Sequence, residues 1–240
     1  MMATEDNYTM PNKIVSDEYI TIEGEKLSKS KGNYIALKDL LSRYPADAIR
    51  YYFLTNDPEK RDFNFTWTDF INTLNSDLLG KWGNFINRTL VFINKSFDGK
   101  LNEYEIDSDL ENQMKNLYEE VGTTINDGNV KEGLHLIFDF IGKANKYFDE
   151  QKPWELAKTN PEECQKVLFN CTNIIYNVNN LLKPYIPFSC EKVDTYLNQQ
   201  IETWEYKKLS KLTLSEDIKP LYQRYDKSVI EEEKNRLRSK

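Results

Sequence analysis

Apolar residues recur along most of this chain at the spacing of one helix face, and only the first quarter departs from that rhythm. There, Ile14-Val15 and Tyr19-Ile20-Thr21-Ile22 are short β-branched and aromatic runs. Polar Ser16-Asp17-Glu18 divides them, so they read as two short strands. Two such strands are marginal alone, and no later run suggests a larger sheet. Residues 37–44 and 46–54 read as short helices, with Pro45 at the start of the second, where its missing N–H costs nothing. From Thr68, Phe70, Leu74, Leu78, Phe85, Ile86, Leu90 and Ile93 predict one long helix, ended by Asp98-Gly99. Ser108 with Glu111 reads as a capping box opening the next helix, which Asp127-Gly128 breaks. Leu134, Ile137, Phe138, Ile141 and Phe148 make another apolar face. Asn160-Pro161-Glu162-Glu163 opens a helix to about Leu182, stopped by Pro184 and Pro187. Residues 189–197 read as a shorter helix, 204–217 as irregular and 229–237 as a charged helix. Short connections make neighbouring helices antiparallel. The expected fold is mainly α, an antiparallel bundle behind a small N-terminal β/loop and short-helix appendage. The division falls at residues 1–65 and 66–240.

Composition narrows the functions open to such a bundle. The formal charge of −7 argues against a protein that coats nucleic acid by bulk charge. It does not argue against one that reads a few unstacked bases. Cys164, Cys171 and Cys190 form no Cys-x-x-Cys pair, and His135 is alone, so no metal site is expected. Sparse cysteines fit a reducing compartment. Residues 1–12 lack an apolar signal core, and no apolar run approaches the roughly 18 residues of a membrane span. The expectation is a cytoplasmic chain with no membrane partner.

Candidate chemistry begins in the lysine-rich loop. Lys26, Lys29 and Lys31 stand among Ser28, Ser30 and Gly32. Such ammonium groups reach phosphates from one turn, the serines add hydroxyl donors, and glycine permits close backbone approach. By composition alone a solvated basic turn is the commoner outcome. The residue order is more specific. Lys26-Leu27-Ser28-Lys29-Ser30-Lys31-Gly32-Asn33 resembles the lysine-serine signature loop of class I aminoacyl-tRNA synthetases. Leu27 stands where methionine is usual, a volume-conserving replacement. Asp47-Ala48-Ile49-Arg50-Tyr51-Tyr52-Phe53 resembles the helix after that loop. The resemblance implies an ATP loop of Lys26, Ser28, Lys29 and Ser30, with Lys29 contacting ATP and Lys26 helping to hold the loop closed.

Three later segments resemble the methionyl-tRNA synthetase family in the right order. They are Gly83-Asn84-Phe85-Ile86-Asn87-Arg88 with its continuation to Gly99, Asp149-Glu150-Gln151-Lys152-Pro153-Trp154, and Pro220-Leu221-Tyr222-Gln223-Arg224-Tyr225-Asp226. The resemblance implies a methionine tRNA with a CAU anticodon as partner, read by Asn84, Arg88 and Trp154, with Trp154 against the cytosine. The chemistry is coherent. Asn84 and Arg88 are four apart and share a helix face, offering an amide and a planar donor fork. An indole is a stacking platform worth about 1–3 kcal/mol per base. Taken singly, the pair is more often an ordinary polar face and the tryptophan a packing residue.

A class I synthetase also needs a doubly wound nucleotide-binding fold and a His-x-Gly-His loop. This chain has one histidine and about twenty-five residues before the lysine loop. It is therefore expected not to activate methionine alone, to bind no cofactor alone, and to leave ATP to the full enzyme. A separate catalytic half is a further expected partner, and the lysine loop reads as a mobile tether to it. Two alternatives stay open: a stand-alone paralogue that binds tRNA or an RNA mimic, and a helical protein-interaction module.

Overall fold

A computed structural model describes residue 11, residues 13–59 and residues 61–238. Apart from Pro11, the N-terminal stretch read as lacking a signal core lies outside the described residues. β1 (Ile20–Ile22) and β2 (Glu25–Lys26) form a hairpin. Its turn residues Glu23 and Gly24 both have positive φ, 49° and 82°, the backbone that a two-residue hairpin with right-handed strand twist requires. Ile14-Val15 is not a strand, and both residues are exposed. The missing partner of β1 is β3 (Phe63–Phe65), paired in parallel. α1 (Leu37–Leu41) and α2 (Ala46–Thr55) supply the crossover that a parallel pair demands. Asn64 Oδ1 accepts from the Gly24 N–H at 2.8 Å and from Thr21 Oγ1 at 3.0 Å, which ties β3 to the hairpin turn.

The expected long helix is instead three segments. α3 (Trp67–Thr73) and α4 (Asn84–Phe97) flank a π-helical stretch, Leu74–Gly83. Gly83 has a reason to lack a side chain: a Cβ there would meet the Tyr222 ring at 2.9 Å. Asn75 fastens the same stretch to the later chain, bonding the Tyr225 C=O at 2.8 Å and the Tyr225 N–H at 2.9 Å.

The bundle follows as α5 (Ser108–Asn126), α6 (Val130–Gln151), α7 (Pro153–Thr159), α8 (Pro161–Leu182) and α9 (Pro187–Leu197). The cap of α5 is Asp107, one residue before the expected Ser108, and its carboxylate accepts from Asp109 and Leu110 N–H groups. Asn160 caps α8 as expected. α8 is the central helix, buried on nearly every face after its first turns. Even its polar residues are inside: Asn173, Asn177 and Asn180 bond the backbone of Leu209, Lys207 and Thr203. These bonds hold the otherwise irregular return segment in line along the helix. That segment also contributes β5 (Leu212–Thr213), paired with β4 (Lys100–Leu101).

Two polar clamps join the appendage to the bundle. On α2, Asp47 accepts the Ser189 N–H near the start of α9 at 2.5 Å, while Arg50 donates to the Tyr185 and Pro184 carbonyls at 2.9 and 2.7 Å. Acid and base thus meet opposite ends of the two helices at the α8–α9 elbow, each on the favourable side of a helix dipole. The second clamp is α10 (Ser228–Arg238), whose buried Glu233 pairs with Arg43 at 2.6 Å and accepts from Tyr44 Oη at 3.2 Å.

Candidate functional site

The lysine loop leaves β2 at Lys26 and closes on itself. Ser28 N–H donates to the Asn33 C=O at 3.0 Å, Gly32 N–H to the Lys29 C=O at 3.2 Å, and the Asn33 amide to the Glu25 and Lys26 carbonyls. Ser28 and Ser30 hydroxyls lie 3.2 Å apart. Gly32 takes φ 72°, a conformation that suits glycine. The loop is a hydrogen-bonded turn with its lysines outside. Lys26, Lys29, Ser30 and Lys31 are exposed. The structure separates them by side. A cleft of about 780 Å³ between the loop and α10 has Lys26, Lys31, Lys234 and Arg238 on its walls together with Glu23 and Glu25, but not Lys29. None of these four basic groups forms an ion pair among the described residues.

The second candidate site lies where α4, α6 and α7 meet. Asn84 and Arg88 share the first turns of α4, and Asn84 is exposed. Arg88 is three-quarters buried and engaged. Its guanidinium lies 4.2 Å from the centre of the Phe148 ring, pairs with Asp149 at 2.8 Å and donates to the Asn145 C=O at 2.9 Å. Trp154, 43 % exposed, reaches the same Phe148 ring, with centroids 6.2 Å apart and planes 38° apart. Phe148 thus links the arginine to the indole. Sequence periodicity reads Phe148 only as core and assigns nothing to Asn145. The i, i+4 spacing of Asn145 and Asp149 on α6 was the available signal.

Lys152 ends α6 in the left-handed region, and Pro153 begins α7, so the indole projects from the first turn of a new helix. Lys158, one turn after Trp154 on the same face of α7, forms no ion pair among the described residues. Among the described residues no group of His, Cys, Asp and Glu side chains converges to hold a metal ion. The three cysteines are free and buried, and burial pushes the Cys164 thiol up to about 11. No helix of the described residues is long and apolar enough to cross a membrane.

Two family descriptions match the chain. Residues 1–90 match the class I tRNA synthetases (M), and residues 99–227 the anticodon binding domain of methionyl tRNA ligase. The chain is 41 % identical over 228 residues to methionine–tRNA ligase 1 of Alkaliphilus oremlandii, covering 95 % of this chain and 42 % of that protein. It is 42 % identical over 231 residues to the methionine–tRNA ligase of Bacillus cereus (strain Q1), with the same coverage. It therefore spans less than half the length of these curated relatives. Among solved structures, Mycobacterium tuberculosis methionyl-tRNA synthetase in complex with methionyl-adenylate superposes with a TM-score of 0.82 at 24 % identity, over 90 % of this chain and 45 % of that one. The apo form of the same enzyme gives 0.79 at 21 % identity, over 91 % and 45 %. At that identity the likeness concerns the fold.

Proposed function

The chain belongs to the methionyl-tRNA ligase family, and from that premise we propose that it is the tRNA-anticodon-binding part of an enzyme that joins methionine to tRNA with ATP. The supporting observation is the junction of α4, α6 and α7. An exposed indole, a guanidinium and an exposed amide stand together there, beside an aromatic ring that orients two of them. In this reading Trp154 stacks on an anticodon base, while Asn84 and Arg88 meet base edges with donors and an acceptor. The preferred RNA is a methionine tRNA with a CAU anticodon. Arg88 must trade Asp149 for the base, so only a base with well-placed acceptors repays the exchange.

The lysine loop, in the same reading, is the ATP loop of the whole enzyme. Lys29 meets the triphosphate, Ser28 and Ser30 add donors, and Lys26 stays by the cleft as a loop-closing residue. Residues 1–65 are then the end of a catalytic domain and residues 66–240 the anticodon bundle. The exposed Leu27, Leu37 and Leu41 fit contact with a catalytic half. ATP is a substrate of that assembly, and the chain alone is expected to give no methionine-dependent ATP–pyrophosphate exchange. The cytoplasm is its place of work, in keeping with three unpaired cysteines.

The test is binding of methionine tRNA to the chain and to its Trp154→Ala variant. The indole is half in solvent, so the variant should fold normally and lose about tenfold or more in affinity. A change of anticodon should weaken the native chain comparably. Equal affinity of the native chain for both tRNAs would refute anticodon reading. Undetectable binding to either would favour a protein-interaction module.

A further inference from the structure

The turn that presents Trp154 rests on a residue ill suited to it. Lys152 joins α6 to α7 at φ 45° and ψ 60°, in the left-handed region. A Cβ is crowded there by the following carbonyl oxygen. A residue before proline is in addition pushed towards extended backbone. Among the described residues, three other non-glycine positions have positive φ: Glu23, Asp98 and Asn198. Asp98 and Asn198 are types that enter this region readily, and Glu23 belongs to a hairpin turn whose strands need it. Lys152 has neither reason.

The backbone of Lys152 does all the work of the turn. Its N–H donates to the Phe148 C=O at 3.2 Å, and its own C=O accepts from Glu155 and Leu156 at 2.9 and 3.2 Å. Glycine or asparagine would close this helix end with less strain. The side chain adds only an exposed ion pair, its ammonium 3.3 Å from Glu155, and such pairs contribute little. That pair does place the ammonium beside the first turn of α7, the turn that carries Trp154. The neighbouring guanidinium of Arg88 is already committed to Asp149 and the Asn145 carbonyl.

We propose that Lys152 is a backbone-phosphate contact for the RNA strand whose base stacks on Trp154. The inference rests on the RNA-binding reading above and extends it to a residue that reads no base. A base on the indole brings its own phosphodiester to the edge of α7, and Lys152 exchanges Glu155 for that phosphate. The left-handed turn sets where the side chain leaves the backbone, and its ammonium already stands beside the first turn of α7.

The test uses the whole 240-residue chain and a short RNA hairpin with a CAU loop, with affinity followed across a salt series. Lys152→Asn removes the charge and suits the backbone, so it should melt no lower than the native chain. It should bind several-fold more weakly, equally for the CAU loop and a variant loop, with a salt slope shallower by about 1. Lys152→Arg should bind as the native chain does. Native affinity and slope in Lys152→Asn would overturn the proposal. So would loss in Lys152→Arg as large as in Lys152→Asn, or a lower melting point with an unchanged slope. Trp154→Ala separates the two levels. If it leaves affinity unchanged, the RNA-binding reading falls. If it weakens binding while Lys152→Asn does not, only Lys152 is wrongly placed.

Discussion

Asn177 lies in the middle of α8, fully buried, where a bundle helix would ordinarily carry leucine. Its amide treats Lys207 as a strand neighbour would: Nδ2 donates to the Lys207 C=O at 2.9 Å and Oδ1 accepts the Lys207 N–H at 3.0 Å. Replacing it by alanine leaves both backbone groups of Lys207 without the amide that pairs them. Each orphan costs about 1–3 kcal/mol when sealed from water. The Lys207 side is exposed, so water reaches part of the gap, which sets the expectation at about 2–4 kcal/mol in total. For a chain of this length that corresponds to a fall of roughly 5–15 °C in melting temperature. Asn177→Leu should also destabilise, because it adds apolar contact but leaves the same two orphans. Urea unfolding gives the free energy, and amide exchange locates it: the Lys207 N–H should lose protection while amides of α4 keep theirs. A loss under 0.5 kcal/mol, the scatter of ordinary surface changes, would refute the claim that these asparagines hold the return segment. So would undiminished protection at Lys207.

Asp57 is held above the usual carboxylate range by burial, and then by the nearby Asp17 and Glu59 carboxylates, with Lys131 opposing. A raised folded value means that its contribution is complete below the unfolded value and is lost as pH rises through the folded one. Asp57→Asn should therefore stabilise the chain at pH 7 and lose that advantage in acid, as measured by melting across pH; an equal gain at all pH values would contradict it. In Gly133→Ala, the new Cβ would sit 2.6 Å from the buried Tyr185 hydroxyl and 2.8 Å from Thr124 Oγ1. Overpacking of about 1–3 kcal/mol should outweigh the helix gain of about 1 kcal/mol, and unfolding in urea would reveal the sign. Glu233→Ala leaves Arg43 partly buried without its carboxylate. Broken buried pairs cost about 3–5 kcal/mol, and the partial exposure of Arg43 places this one at the lower end. Limited proteolysis should then cut α10 before the bundle, and simultaneous cutting of both would argue against a local clamp.

Most helices were legible because their apolar faces repeat at the helical period, and a buried face must be apolar whatever it packs against. Asn160-Pro161 marked the start of α8 and Asp98-Gly99 the end of α4 for the same local reason: caps satisfy backbone groups within a few residues. The π-helical stretch was not legible. Leu74 and Leu78 keep an α-like spacing, and what distinguishes the stretch is Tyr222 packing on Gly83 and Tyr225 bonding Asn75, contacts across more than a hundred residues. β3 escaped because three residues, Phe63-Asn64-Phe65, are too short a run to alternate convincingly. β3 became a strand through its parallel pairing with β1, beyond two intervening helices.

The same limit separates the two halves of the candidate site. Trp154 could be placed at a helix start from its proline alone, since Pro153 fixes where α7 begins. Arg88 could be placed on a face with Asn84, but its state could not. The spacing within α4 says nothing of Asp149, 61 residues away, which takes its guanidinium in the free chain. A sequence identifies a cation and its face, whereas tertiary packing decides whether the cation is available. In the proposed RNA-binding reading, an incoming strand would meet an indole already exposed and an arginine still held. On that reading, stacking on Trp154 would precede the exchange at Arg88, and the exchange would be the step at which a base edge is tested against a carboxylate.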